Sequence, residues 1–160
     1  MDKHISSVDA LPALNDFLGW AVFWFLFGLM VIPVSPDTKT PAVRWDDWLN
    51  GLSVARIRAY WRQFPSHHIG HIFGDNYIVF DADTQEALAT LVAAEKLHGM
   101  ESQLVVGTSR GEHHYYCRDT SSQQMVKTDF PKGLDVLSGR KMVVLPPSTS
   151  KTLIKMGGAQ

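Results

Sequence analysis

From Phe17 to Ile32 the chain reads FLGWAVFWFLFGLMVI, dense in aromatics and without a charged side chain. Such a run either crosses a bilayer or is buried in protein. A membrane helix needs about 20 predominantly apolar residues, and this run is shorter and closed by Pro33. Met1-Asp2-Lys3-His4 is not the basic start of a secretory signal, and no small-residue cleavage site follows. Gly28 divides the segment instead. It predicts a helix from about Leu11 to Phe27, stopped at Gly28, and a short strand from Met30 to Val34. Pro12 suits the first turn of that helix, with Asp9 near its start. A helix this apolar on every side is covered on more than one side. In a small domain it therefore offers a partner surface as well as a core face, and no membrane association is expected.

The 160 residues suit one domain with a real core. Hydrophobic residues at 45% and charged residues at 19% place the chain among globular proteins. A net charge of −1 excludes coating of nucleic acid by charge alone, though it allows a local basic patch. The single Cys117 excludes a disulfide framework and a cysteine-based zinc site, and fits a reducing cytoplasm.

Ser35 to Asn50 reads as loop. Leu52 to Phe64 reads as a helix with Ser53 as its cap, Pro65 as its stop and an apolar stripe of Val54, Ile57 and Trp61. Arg58 and Arg62 share its other face, as solvated charges or as phosphate contacts. His68 to Phe73 and Tyr77 to Asp81 flank Gly74-Asp75-Asn76, the signature of a hairpin. An amphipathic helix, Thr84 to Leu97, ends at His98-Gly99. Strands follow at Gln103 to Thr108, His113 to Arg118, Leu134 to Leu137 and Met142 to Leu145. A polar loop, Asp119 to Phe130, interrupts them, and the residues beyond Pro146-Pro147-Ser148 read as a tail. Helices alternating with strands and then giving way to consecutive strands point to an α+β sandwich with a mixed sheet.

Three features carry chemistry. Tyr77-Ile78-Val79-Phe80-Asp81-Ala82-Asp83 ends an apolar strand on two aspartates that face the same way, roughly 7 Å apart. A hard cation with oxygen ligands gives a reason for that pairing. A second reason is local: Asp83 as helix N-cap, with Glu86 three residues on as in a capping box. Thr108 to Tyr116 (TSRGEHHYY) is a turn leading into a strand. In it Gly111 allows close backbone approach, Arg110 offers a fork for phosphate oxygens, and His113 and His114 face opposite sides of the sheet. Asp135 stands near the start of a short strand after Gly133. Three carboxylates, a histidine and an arginine would suit two-metal phosphoryl transfer.

Those motifs, in order from about Ala21 to Ser148, resemble the N-terminal catalytic domain of bifunctional DNA primase/polymerases (Prim-Pol), in the archaeo-eukaryotic primase superfamily. Gly28 with Met30 to Val34 is similar to the family's helix-ending glycine and V-x-P strand. Lys39-Thr40-Pro41 is similar to its Lys-x-Pro loop. Ile57 to Trp61, Pro65, Ile69-Gly70 and Gly74 resemble its I-x-x-W-W…P…N-I-G…G stretch. Asp81-Ala82-Asp83 resembles its D-x-D, and Thr108 to Tyr116 its T-x-R-G-G-x-H-x-Y/F. Gly133-Leu134-Asp135-Val136, then Val143 to Ser148, resembles its G-x-D…V-V-x-P-P-S ending.

The resemblance implies a two-layer α+β fold in which residues 1–148 form one catalytic domain on an RRM-like sheet, followed by a tail, 149–160. It implies nucleotide addition on a single-stranded DNA template or primer-template in the replication of a plasmid, phage or integrated element. Mg²⁺ or Mn²⁺ would be held by Asp81, Asp83 and Asp135, and a dNTP or NTP by His114, Arg110 and Lys39. A helicase or other replication partner would meet the apolar first helix. Two departures stand out. Glu112 replaces the motif's second glycine, an added negative charge beside the triphosphate that would weaken nucleotide binding. No helicase-like or Cys-rich segment follows Pro-Pro-Ser, so polymerisation is expected ahead of de novo priming. Glu112 and the apolar helix also motivate an alternative, a non-catalytic module that binds nucleic acid or a replication partner. A D-x-D nucleotide-sugar transferase would leave the Arg-Gly-x-His strand and the Pro-Pro-Ser ending unexplained.

Overall fold

The structure, a computed structural model, describes residues 11–74, 76–117 and 131–157. The apolar run forms a helix buried along one side, α1 (Phe17–Phe27), with Trp20, Ala21 and Trp24 in the core, and it begins later than Pro12 predicts because Asp16 caps it. The Asp16 carboxylate accepts from the Gly19 N–H at 2.8 Å. Gly28 ends the helix in the left-handed conformation, φ +108°, and the N–H groups of Gly28 and Leu29 close on the Phe25 and Trp24 carbonyls. Asp9 lies outside the described residues, as does the predicted loop Asp119 to Phe130. No described helix is long and apolar enough to cross a membrane.

Along the chain follow β1 (Val31–Val34), α2 (Trp45–Leu49), α3 (Val54–Gln63), β2 (His68–Ile72), β3 (Tyr77–Ala82), α4 (Gln85–His98), β4 (Leu104–Gly107), β5 (Glu112–Cys117), β6 (Leu134–Leu137), β7 (Met142–Leu145) and β8 (Thr152–Met156). The fold is an α+β sandwich, with its strands shared between two sheets of order β1-β2-β7 and β6-β3-β5-β4-β8. Each strand pairing is antiparallel, so the mixed sheet expected from the sequence is corrected to two antiparallel sheets.

Four local expectations change. His68–Phe73 and Tyr77–Asp81 are not a hairpin: β2 is flanked by β1 and β7, and β3 by β5 and β6, so the turn between them carries the chain from one sheet to the other. The loop Ser35 to Asn50 contains α2, because Trp48 is buried and its indole N–H reaches the Val31 carbonyl at 2.8 Å. Thr84, not Asp83, caps α4, its hydroxyl accepting from the Ala87 N–H at 3.1 Å. The residues after Ser148 do not simply trail away: β8 pairs with β4 and forms an edge of the larger sheet.

Two cores result. The larger gathers α1, α2, α3 and the smaller sheet with Val79, Leu104, Val106 and Tyr115 from one face of the larger sheet. The smaller core packs Ala87 and Leu91 of α4 on Phe80, Ala82, Tyr116 and Leu134 of the opposite face. The period of two therefore sends alternate residues of β3 and β5 to different surroundings.

Candidate active site

Asp81 lies on the strand next to the β6 edge of its sheet, with His113 of β5 directly opposite on one side and Asp135 of β6 on the other. Opposed residues share a face, so two carboxylates and an imidazole stand in one row across three strands. His113 Nε2 comes within 3.3 Å of Asp81 Oδ1 without meeting hydrogen-bond geometry. His113 is buried, Asp81 half-buried and Asp135 exposed, so the row runs from the interior to solvent. Like charges set directly across a ladder destabilise a sheet by up to about 1 kcal/mol, a cost that the Asp81–Asp135 pairing carries in the protein alone.

Asp83 follows β3. Since Thr84 does the capping, its carboxylate is free for other work, and Arg110 Nη2 meets Asp83 Oδ2 at 2.6 Å. Arg110 is presented by a tight turn in which the Thr108 hydroxyl accepts from the Arg110 and Gly111 N–H groups at 3.3 and 3.0 Å. Gly111 is required there for space: a Cβ would fall 1.8 Å from the Ala82 carbonyl oxygen. The close approach expected of this glycine is an approach to β3 itself.

His114 is not brought to this row. Its place in β5 turns it toward α4, where Nδ1 meets Glu95 Oε1 and Nε2 meets Glu112 Oε2, each at 2.7 Å. The Tyr116 hydroxyl also donates to Glu95. An imidazole with a carboxylate at each ring nitrogen is a clamp between strand and helix. The histidine on the aspartate face is His113. The same alternation corrects the expectation for Glu112, whose carboxylate lies on the α4 face, away from Asp81. Its partner there is His114.

His113, at the inner end of the row, lines a cleft between the two sheets, about 200 Å³ in volume, together with Lys39, His68, Val143, Thr149 and Lys151. Lys39 lies in the loop after β1 in the left-handed conformation, φ +55°, its N–H held by the Ser35 carbonyl at 3.0 Å. A lysine in that conformation is strained. Lys151 is half-buried: burial lowers its pKa, Asp81 opposes that shift, Lys39 adds to it, and Asp83 and Arg110 act in the same two opposing senses. Burial likewise lowers the pKa of His68, with Lys39 and His67 adding to the effect and Asp37 opposing it. The cleft thus carries two lysines on its wall, with Lys151 within electrostatic reach of Asp81 and Asp83. Arg58 and Arg62 are exposed on α3 and take no part in its lining.

The family model for the bifunctional DNA primase/polymerase N-terminal domain, Prim-Pol, matches residues 22–156. This chain belongs to the Prim-Pol family. No curated protein matches it. The Prim-Pol match holds Asp81, Asp83, Arg110, His113 and Asp135 and runs through β8.

Two residues near the aspartates are not singled out by the sequence. Matching TSRGEHHYY with two glycine positions before the histidine favours His114, and strand alternation from Asp81 separates the pair only once the register is known. Lys151 falls in the stretch read as a tail. The signal there was Thr152-Leu153-Ile154-Lys155-Met156, whose β-branched residues suit a strand and so a tethered Lys151.

Proposed function

We propose that this Prim-Pol domain is a template-directed nucleotidyltransferase that extends a DNA strand during replication of a plasmid, phage or integrated element in the cytoplasm. The observation that carries the proposal is the row His113, Asp81 and Asp135 across three adjacent strands, with His113 lining a cleft between the sheets that carries two lysines.

The donor set fits a hard divalent cation in one specific way. Among the described residues no three His, Cys, Asp or Glu side chains form a group able to hold a metal. Mg²⁺ does not require such a cage, because it is usually held by one or two carboxylates together with substrate phosphates and water. Asp81, with a buried Oδ1 that has no hydrogen-bond partner, and Asp135 would hold it, and Asp83 would join them on release from Arg110. When bound, Mg²⁺ or Mn²⁺ supplies Lewis acidity at the attacking hydroxyl and neutralises charge on the leaving pyrophosphate.

The chain's own residues do the rest. Lys151 and Lys39 hold the triphosphate of a dNTP or NTP from two sides of the cleft. Arg110, a planar fork on a rigid turn, takes a further pair of phosphate oxygens. His113, with Nε2 facing Asp81, orders that carboxylate, and the nucleotide contact that the family pattern assigns to His114 passes to Arg110 and the two lysines. The bases of single-stranded template select the nucleotide, and α1, apolar on every side, offers a surface to a helicase or other replication partner. The alternative of a non-catalytic module rests on Glu112 and the apolar α1: the Glu112 carboxylate lies on the α4 face beside His114, while an apolar α1 suits either reading.

Primer extension on single-stranded template with Mg²⁺ or Mn²⁺ tests the proposal. Asp81→Asn and Asp135→Asn should each lose activity by several orders of magnitude. Variants as active as the wild type would refute the assignment.

A further inference from the structure

Four buried side-chain atoms among the described residues have no hydrogen-bond partner in the protein: His71 Nδ1, Asp81 Oδ1, His113 Nδ1 and Tyr115 Oη. They are not scattered. Asp81 and His113 are ladder partners, and Tyr115 stands two residues along β5 on the same face. From the other sheet the His71 ring stacks on Tyr115, with centroids 5.9 Å apart and planes at 23°. The four atoms therefore line a column that runs from the carboxylate row into the space between the sheets.

Buried polar atoms are almost always paired, with protein or with ordered water. This set is one that water can satisfy. A phenol hydroxyl donates and accepts, a neutral imidazole presents one donor and one acceptor nitrogen, and a carboxylate only accepts. His71 is neutral, since burial pushes its pKa down to about 3. A buried water typically makes two to four hydrogen bonds of this kind. The cleft reaches His113, which gives water a route to the outer end of the column.

We propose that ordered water bridges Tyr115 Oη, His71 Nδ1 and His113 Nδ1 behind Asp81, so that Tyr115 and His71 are positioning residues for His113. With Nε2 turned to Asp81, His113 offers Nδ1 to the bridging water, which fixes both its tautomer and its ring angle. The water network stands on the geometry alone, while its role in positioning rests on the placement of His113 in the active site.

The test uses the whole chain, ¹⁵N-labelled, without nucleotide or metal. Long-range imidazole ¹H–¹⁵N spectra report the His113 ring nitrogens, water–protein cross-relaxation reports bound water, and a melting curve reports stability. Tyr115→Phe keeps the ring and removes the hydroxyl; His71→Phe keeps the stack and removes both nitrogens. The expected result in each is a moved His113 Nδ1 resonance, loss of the water cross-peaks and a fall in Tm of roughly 2–6 °C. Unmoved His113 resonances in both variants overturn the proposal, as does a Tyr115→Phe Tm that holds or rises, since removal of an unpaired hydroxyl stabilises. None of these readouts depends on nucleotide addition. Moved resonances in a chain that cannot extend a primer would defeat the catalytic proposal and leave the network standing.

Discussion

Gly111→Ala measures how firmly the Arg110 turn is pressed against the strand that carries the aspartates. The added methyl carbon would lie 1.8 Å from the Ala82 carbonyl oxygen and 3.3 Å from the Asp83 Cα. Carbon and oxygen rest at about 3.3 Å or more when not bonded, so the two segments must part by roughly 1.5 Å. The obstacle is backbone, and β3 is hydrogen-bonded on both sides, to β5 and to β6; it cannot turn aside as a side chain would. Gly111 is not among the glycines of positive φ, so the whole cost is steric. Overpacking of this kind costs up to about 3 kcal/mol or more, which for a chain of this size is a loss of roughly 6–12 °C in Tm. Gly99→Ala is the control. Gly99 has φ +62° and open space around it, so the substitution costs only left-handed backbone strain, about 1–2 kcal/mol. Thermal unfolding followed by circular dichroism should rank Gly111→Ala well below Gly99→Ala. A Gly111→Ala chain that melts within about 2 °C of the wild type would show that this turn is not held against β3.

The two adjacent histidines should fail differently. His114→Ala strands Glu95 and Glu112 in a largely buried setting and should cost about 3 kcal/mol in urea unfolding while the chain that remains folded still extends a primer, whereas His113→Ala should abolish primer extension even at temperatures where the chain is fully folded; the reverse pattern would exchange their roles. Lys151→Met should raise the KM for the incoming nucleotide at least tenfold with little change in Tm, and an unchanged KM would remove Lys151 from the site. The His71 pKa lies near 3 in the folded chain against 6.5 in the unfolded, so between those values the unfolded chain binds more protons. Stability from this group is complete above about pH 6.5 and falls toward pH 3, with a slope approaching 1.4 kcal/mol per pH unit. Urea unfolding between pH 4 and 7 should show that slope in the wild type and a flatter profile in His71→Phe; parallel profiles would rule His71 out as the source.

Much of the fold was legible because its signals are local. Gly28 ends α1 and Ser53 caps α3, accepting from the Arg56 N–H at 3.2 Å, and the stripe of Ile57 and Trp61 is buried. What the sequence withheld were relations between distant segments. Gly74-Asp75-Asn76 looks the same whether it closes a hairpin or carries the chain to another sheet. The spacing of Asp81 and Asp83 is equally silent about Asp135, which reaches Asp81 only through the pairing of β3 with β6. His113 and His114 show this most sharply. Their opposite orientations follow from strand periodicity, but which one meets the aspartates depends on the register Asp81↔His113, and the T-x-R-G-G-x-H pattern pointed to the other.

The segment after β7 has a mechanical consequence. The Ser148 hydroxyl accepts from the Ile69 N–H of β2 at 3.1 Å, and the Trp24 indole N–H fastens the Pro146 carbonyl at 2.7 Å. The Lys151 N–H then turns back to the Ser148 carbonyl at 3.0 Å before β8 joins the larger sheet. The two sheets are thus stapled to each other beside the cleft rather than hinged there. Lys151 stands on that segment, so the backbone that presents its side chain toward the cleft is fastened at Pro146 and Ser148, and the Ile69 amide should be among the slowest of the described residues to exchange with deuterium.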